Sequence, residues 1–588
     1  MELSFHLILL SLLLSSYGES SCKCTPRSSC WPSSTIWSAF NRSIDGRLLA
    51  PKPYAWPCHT PQYDPVACSA ARQLQNNPFA RSEVVGAMQY PNWESGITGF
   101  GCPLNGSGAL SSPCYQDDVS IYAINVSSVS HIQAGVVFAK KYNLRLAIKS
   151  SGHDWLGRST APGSLCIWLH HLTNIFTNDS FVPQSCPVSD PVPAVTAQPG
   201  VTWDFLYDFL RQRNRVAVGP MGSSPSAAGG FVQGGGHGPL SRTFGYAADN
   251  ALEFTVVTAD GRVRVANRCR NPDLFWALKG GGGGTFGVVV SATYRTFPDL
   301  QLGYVQTLFI AASATRSSHE DLIAKFVEVT PSMDEARLAG YFFLYTNYIT
   351  LSFVLPNGTA AEARAAFAPL VSYVEGHPQL FVITYTVTSY PNFVQWHDGV
   401  LCATNPGVCT DLTGAPRALA TRFMPRAIIQ DSPAVLTNAL VRILFERNFS
   451  PIFGLFVFGG AAASVRGRNN SLSAVWREAL WHVSLSRTWN DSTTVKERQQ
   501  IFQYLTTTDD ILRNITPGGG CYKNEADYFE PYWQDAFFGE KYSALKAIKE
   551  SVDPTGLFLC WKCVGSENLV QGNCKAAGNR KSEHTSLT

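Results

Sequence analysis

Long hydrophobic runs are missing from most of this chain. Beyond the first 20 of its 588 residues no stretch of 18 uninterrupted apolar residues occurs, so no transmembrane helix is expected in the mature chain. Charge is also sparse, at 15% Asp, Glu, Lys and Arg, and it is balanced, with 46 basic against 43 acidic residues and a formal charge of +3. No unbroken run of Lys/Arg longer than a pair occurs, the tail carrying one such pair, Arg580 and Lys581. A chain without a basic stripe does not read as a nucleic-acid binder. No GxSxG lies in a strand-turn-helix context, and the loop from Ser223 to Ser226 fails that pattern, which argues against a serine hydrolase of that kind. No internal repeat is evident. With 45% hydrophobic and 12% aromatic residues the chain is too apolar for disorder and long enough for two or three domains.

What is present begins with a leader. One apolar run extends from Leu7 to about Leu14, followed by small residues with Gly18 and Ser20 at the −3 and −1 positions for cleavage before Ser21. We read residues 1–20 as a signal peptide, although its first segment lacks a basic residue. Sixteen cysteines, an even number, point the same way, as do nine Asn-x-Ser/Thr sequons at Asn41, Asn105, Asn125, Asn178, Asn357, Asn448, Asn469, Asn490 and Asn514. Seven of the cysteines, from Cys22 to Cys114, fall in a region with little apolar periodicity, so residues 21–114 read as a segment tied down by disulfides. Cys402 and Cys409 bracket a short loop that a disulfide would close. Cys560 and Cys563, with Cys574 nearby, have a zinc-like spacing. A closed zinc site needs four ligands and no second pair lies close, so disulfides are expected and no metal.

Residues 127–149 give helix-start chemistry, then Ile132, Val136 and Val137 at helical spacing, then a short strand from Leu144 to Ile148. A second helix-strand unit runs over 202–219. Residues 251–266 alternate and turn at Asp260-Gly261, a hairpin signal, and 271–296 reads as helix, glycine run and strand. After Pro298 the chain has fewer glycines, with strands over 340–353, 379–388 and 453–459 and helices over 320–328 and 360–375. We therefore divide the mature chain at 21–114, 115–297, 298–515, 516–568 and a tail at 569–588.

Four glycine-bearing segments lie within this frame: Lys149-Ser-Ser-Gly-His153-Asp154, Ala228-Gly-Gly-Phe-Val-Gln-Gly-Gly-Gly236-His237, Phe244-Gly-Tyr-Ala-Ala-Asp249 and Lys279-Gly-Gly-Gly-Gly-Gly284-Thr-Phe-Gly287. Glycine lets backbone N–H groups approach a phosphate or planar ring that a Cβ would exclude. The Rossmann order is strand, glycines, helix, whereas at 279–287 a helix precedes the glycines and a strand follows. A cofactor bound in another manner is indicated.

The stretches IKSSGHDWLGRSTAPGSLCIWLHHL, GGFVQGGGHGPLSRTFGYAADNALEF, DLFWALKGGGGGTFGVV and NEADYFEPYWQDAFF resemble, in order and spacing, the FAD-linked oxidases of the vanillyl-alcohol-oxidase type. The resemblance is strongest to their berberine-bridge-enzyme-like branch and its secreted fungal members, among them isoamyl alcohol oxidases and enzymes of natural-product pathways. It covers residues 22–568. It implies an α+β fold: a two-subdomain FAD-binding domain of the PCMH type over 115–297, a substrate domain with an antiparallel sheet backed by helices, and a C-terminal segment over 516–568 returning to the FAD domain. It further implies that His153 is bonded to the flavin 8α carbon, a role suited to a neutral imidazole, with Ser150, Ser151, Gly152 and Asp154 at the pyrophosphate. Gly236, His237 and Asn524 are further cofactor candidates. Many plant relatives carry a second link through cysteine; Gly222 stands at that position here, so one covalent bond is expected.

On the substrate side, Tyr522 beside Asn524 and His482 in the alternating run REALWHVSLSRTW are the catalytic candidates, although for His482 a solvent-facing place is favoured. Tyr345 reads as core, and Arg422 and Arg426 as loop anchors. The inward faces of 341–348 and 453–458 are expected to make an apolar pocket with few polar groups. The function implied is an FAD-dependent oxidase of a small organic metabolite, with O2 as acceptor and H2O2 as product, plausibly in secondary metabolism. The alternatives are a pathway oxidoreductase that triggers cyclisation or C–C bond formation, a sugar oxidase, and a flavin-holding binding protein. The compartment expected is the secretory pathway, with delivery outside the cell or to a vesicle or vacuole. Two measurements check that compartment: N-terminal sequencing of the mature protein should begin at Ser21, and peptide N-glycosidase should increase its gel mobility. A mature chain that starts at Met1 and shows no mobility shift would overturn it.

Overall fold

The computed structural model describes residues 22–104, 113–188, 190–311, 316–402, 413–464, 469–567, 569–570 and 574–575. The leader, Asn105 and Cys409 lie outside them. Four strands form a first small sheet: β1 (Leu48–Leu49), β2 (Tyr122–Asn125), β3 (Leu146–Lys149) and β4 (Leu165–Trp168), in the order β1-β2-β4-β3. β2 and β3 both run parallel to β4, and the helix Val129–Lys141 makes the crossover between β2 and β3. The continuous apolar face of such a sheet is covered on that side by Ile132, Val136 and Phe138.

A second sheet, antiparallel, has the order β5-β6-β10-β8-β9, from β5 (Ile175–Phe181), β6 (Val192–Ala197), β8 (Ala251–Val257), β9 (Val263–Asn267) and β10 (Val288–Arg295). β8 and β9 are the hairpin around Asp260-Gly261. The two-residue strands β7 (Arg215–Val216) and β11 (Phe297–Pro298) pair separately. The glycine run 280–287 feeds directly into β10, so its conformation is fixed at one end by this sheet.

The third sheet has seven antiparallel strands in the order β15-β12-β14-β13-β17-β18-β16: β12 (Leu302–Ala311), β13 (Ala339–Leu344), β14 (Tyr348–Pro356), β15 (Phe381–Tyr390), β16 (Arg417–Pro425), β17 (Ile452–Phe456) and β18 (Ala479–Thr488). Alternation divides its two faces. Phe342, Phe353, Trp481, Val483 and Leu485 point to the helices Arg316–Glu335, Ala360–Glu375 and Val495–Ile515 and form the largest core, where Phe326 stacks on Trp481 at 5.3 Å. Two of those helices begin on a capping box, Thr359 with Glu362 and Thr494 with Glu497, which satisfies N–H groups that the first turn leaves open. The single strand expected over 340–353 is instead the hairpin β13-β14. Tyr345, at its turn, is half-buried and stacks on Tyr348 at 4.1 Å, so it is not part of the core.

Disulfides Cys24–Cys30, Cys58–Cys68 and Cys102–Cys114 tie the N-terminal segment, Cys186–Cys269 joins the loop after β5 to the end of β9, and Cys560–Cys563 closes the CxxC. No helix among the described residues is long and apolar enough to cross a membrane. Arg426 pairs with Asp334. Arg422, on β16, is buried and donates to Asp509 at 2.8 Å and to Glu530 at 3.0 Å, both themselves buried, and Arg513 binds the same two carboxylates. Removing one partner of such a network strands charge in the interior, at about 3–5 kcal/mol. Arg422→Met should therefore lower the melting midpoint by several degrees in a scanning calorimeter, and an unchanged midpoint would show that the network contributes nothing to stability.

Candidate active site

A cavity of about 1240 Å³ lies between the glycine segments and the seven-stranded sheet. Its first wall is built where β3 runs out. Ser150, Ser151, Gly152, His153 and Asp154 all line it, and the chain reverses at Gly152 with φ +78°, a conformation that L side chains rarely take. The His153 ring sits edge-on to Tyr90 at 5.8 Å, and Tyr90 stacks on Trp155 at 3.7 Å. His153 Nε2 lies 3.0 Å from Ser224 Oγ, so that nitrogen is engaged by the protein. Asp154 is committed to Arg158. Burial works to raise the Asp154 carboxyl, but the Arg158 guanidinium outweighs it and holds the group below the usual carboxylate range.

The second wall is backbone. Gly229, Gly230, Gly283 and Gly284 line the cavity. A Cβ on Gly283 would lie 2.8 Å from Gly230 Cα, whereas a Cβ on Gly230 would meet nothing within 4 Å and would project into open space. Two glycine runs thus pack main chain against main chain and present a flat slot that any side chain would fill. Such a slot suits a planar ring and a pyrophosphate, and the residues present fit FAD. Gly222 lines the cavity as well, and the cysteine that borders it among the described residues, Cys560, is bonded to Cys563. Gly236 packs behind this surface, where its Cβ would lie 2.7 Å from the Phe231 ring.

The third wall is the exposed face of the seven-stranded sheet. Tyr341, Phe343 and Phe453 line it, but Gln306, Ser352, Ser484 and Ser486 do too. The apolar pocket expected from the two aromatic strands is therefore an amphipathic one, because neighbouring strands put polar residues on the same face.

Where the chain returns after Gly520 it crosses the cavity. Asn524 Nδ2 donates to Gly230 O at 2.9 Å and to Tyr522 Oη at 2.8 Å, and the Tyr522 hydroxyl lies 3.4 Å from Phe231 O. Burial, with the nearby Glu525 charge, pushes the Tyr522 phenol well up, so it stays protonated. Glu525, which no motif singled out, lines the cavity. Its Oε2 lies 3.3 Å from His237 Nε2 and 3.5 Å from His482 Nδ1. Burial alone would raise the Glu525 carboxyl, yet His237, then His482 and His153, hold it below the usual range.

His482 is fully buried, and burial drives its imidazole down to about 3, so it is neutral near neutral pH. The solvent-facing place favoured from alternation fails because the returning segment covers that face of β18. His482 backs Glu525 rather than lining the cavity. The ligand atoms of His237, His482 and Glu525 lie within 4.8 Å of one another, as do those of Glu83, His170 and His171 near the surface; either trio has the donor types of a divalent-cation site. The sequence offered one signal for Glu525, its place next to Asn524 in the terminal motif. Its histidine partners lie 288 and 43 residues upstream, at His237 and His482, where no spacing rule reaches.

Comparison with known proteins agrees with this geometry. Residues 121–267 match a family model described as FAD binding domain, and residues 521–560 match one described as Berberine and berberine like. An uncharacterised FAD-linked oxidoreductase of Arthroderma benhamiae is 36% identical over 94% of this chain and 96% of its own length. The FAD-linked oxidoreductase patO of Aspergillus clavatus is 33% identical over 96% of each chain. The crystal structure of the VAO-type flavoprotein MtVAO615 from Myceliophthora thermophila superimposes with a TM-score of 0.87 at 28% identity, covering 95% of this chain and 100% of that one. The chain therefore belongs to the FAD-linked oxidoreductases of the vanillyl-alcohol-oxidase and berberine-bridge-enzyme-like family and has their α+β fold.

Proposed function

We propose that this chain is an oxidase that removes a hydride from a C–H bond of a small organic metabolite while Glu525 takes the accompanying proton. The observation that carries this reading is the Glu525 carboxylate, within 3.3 Å of His237 and 3.5 Å of His482, lining the same cavity as the glycine slot and His153. When bound, FAD supplies a two-electron acceptor that takes the hydride and is reoxidised by O2, yielding H2O2. Everything else falls to the protein. The glycine slot and Ser150 to Gly152 hold the cofactor, and His153, with Nε2 engaged by Ser224, carries it covalently. His237 and His482 orient the Glu525 carboxylate, and the Tyr522 phenol supplies a hydrogen bond to a substrate oxygen. The protein enters the secretory pathway, is glycosylated, and acts outside the cell or within a vesicle.

A sugar substrate is the second reading, favoured by the polar row Gln306, Ser352, Ser484 and Ser486 beside aromatic rings, since hydroxyl groups and ring faces of a sugar need both kinds of partner.

Four measurements test the reading. Denatured and washed protein should keep its flavin fluorescence on a gel, and His153→Ala should lose it; complete release of flavin from the native sequence would overturn the covalent role. Glu525→Gln should keep its FAD content while the rate of flavin bleaching by substrate, measured anaerobically, falls by about 10²–10⁴. Because Glu525 is held below the usual carboxylate range, kcat/KM should persist as pH falls and be lost only beneath that range, where the carboxylate protonates. Finally, EDTA should leave turnover unchanged; loss of activity restored by a divalent metal would make the Glu525 trio a cation site instead.

A further inference from the structure

We propose that Arg417 anchors a carboxylate of the substrate, so that the molecule oxidised is a small organic acid; the inference rests on reading the cavity as the site of C–H oxidation. Arg417 opens β16 and lines the cavity. Its backbone N–H donates to Asn92 Oδ1 at 3.0 Å, which pins the residue in place. Among the described residues no ion pair or hydrogen bond holds its guanidinium, and Nε is buried without a partner. Burial lowers its proton affinity, and the Tyr90 phenol is the group acting against that.

The other cations of the cavity are accounted for. Arg158 is taken by Asp154. Arg487 is turned to the opposite face of β18, where it donates to Asn448 O at 2.5 Å and lies over the Phe449 ring. No lysine lines the cavity among the described residues. Arg417 is thus the one guanidinium there that meets no hydrogen-bond acceptor among the described residues, and leaving its buried Nε unpaired is costly. A carboxylate answers it in charge and in shape, because the planar guanidinium fork matches two carboxylate oxygens. A phosphate dianion would exceed the single positive charge on offer.

Position narrows the class further. The Glu525 carbonyl accepts from Thr421 Oγ1, four residues along β16 from Arg417, roughly 13 Å at the rise of an extended strand. The Glu525 backbone therefore meets β16 well away from the Arg417 backbone, which favours a substrate whose acid group is separated from the oxidised carbon over a 2-hydroxy acid. Between them on β16 lies Leu419, opposite Ser486 of β18, and the Phe453 and Phe343 rings extend across the sheet in the row of Thr421 and Ser484, a surface for an aromatic or short aliphatic spacer.

The test is a binding titration on the FAD-loaded protein, read from perturbation of the flavin absorbance. The probes are phenylacetate, 3-phenylpropionate and cinnamate, each paired with its neutral amide. At least one carboxylate should bind more tightly than its amide, and Arg417→Gln should raise that Kd by about tenfold or more and abolish the preference. Arg417→Lys, which keeps the charge but not the fork, should fall between. FAD content and melting midpoint should match the parent in both variants. If no carboxylate outbinds its amide, if Arg417→Gln binds the acid normally, or if it loses FAD, the proposal is overturned. Glu525→Gln should still prefer the acid, so a failure of the proton-transfer reading, seen as normal turnover in that variant, would leave this result unchanged.

Discussion

The site depends on one return crossing of the chain. Residues 521–525 lie between the glycine slot and the seven-stranded sheet and are bonded on both sides. Asn524 donates to Gly230 O, Arg158 donates to the Lys523 carbonyl at 3.1 Å, and Thr421 donates to the Glu525 carbonyl. Each such bond adds only about 1 kcal/mol net, but together they hold in place a turn, closed by the Glu525 N–H donating to Tyr522 O at 2.9 Å, that brings Glu525 to the cavity. Asn524 and Gly230 are 294 residues apart. Closing a loop this long costs entropy that the contact alone does not recover, so the contact depends on the surfaces docked around it.

Two buried acid groups show how partner choice separates scaffold from chemistry. Asp509 and Glu530 are locked between Arg422 and Arg513, partners that never lose their protons, so these carboxylates hold the helix Val495–Ile515 against the returning segment and do little else. Glu525 faces imidazoles instead, and His482 among them is neutral. The carboxylate stays ionised while keeping lone pairs toward the cavity. A carboxylate below its usual range is a weak base, and the proposed oxidation asks for no stronger one. As hydride leaves the carbon of an alcohol, the attached oxygen moves toward a protonated carbonyl, whose proton is far more acidic than that of the alcohol.

The sequence announced what the backbone must do and was silent on what side chains assemble across the fold. The glycine slot was legible because only glycine tolerates a main-chain contact such as that between Gly283 and Gly230, so the requirement is written into composition. The helix over 129–141 and the hairpin at Asp260-Gly261 were legible from local periodicity and turn chemistry. The hairpin at 345–347 was not, because Tyr-Thr-Asn carries none of the glycine that a tight two-residue turn usually shows, and the aromatic pattern runs on through it. His482 was placed on the correct face of β18 by alternation, but alternation says nothing of which face another segment will cover. Arg417 drew no attention because an arginine in a strand is unremarkable until its neighbours are known to lack a carboxylate.

The same contrast explains why a cofactor can be inferred from such a chain more readily than a substrate. Across the open face of the third sheet, strand register aligns Gln306, Ser352, Tyr341, Leu455, His482 and Phe423 in a single row. Six of the seven strands contribute one residue each, and the chain between the first and last is over a hundred residues long, so no motif can encode the row. Its members also alternate with the residues that hold the helical core. A substitution at Ser352 alters the wall of the cavity without touching Leu351 or Phe353, which face the helices. The substrate wall can therefore change one side chain at a time on an unchanged frame, whereas the glycine slot cannot change without closing. In this fold main-chain packing holds the glycine slot constant, and the alternation of sheet faces leaves the opposite wall free to vary.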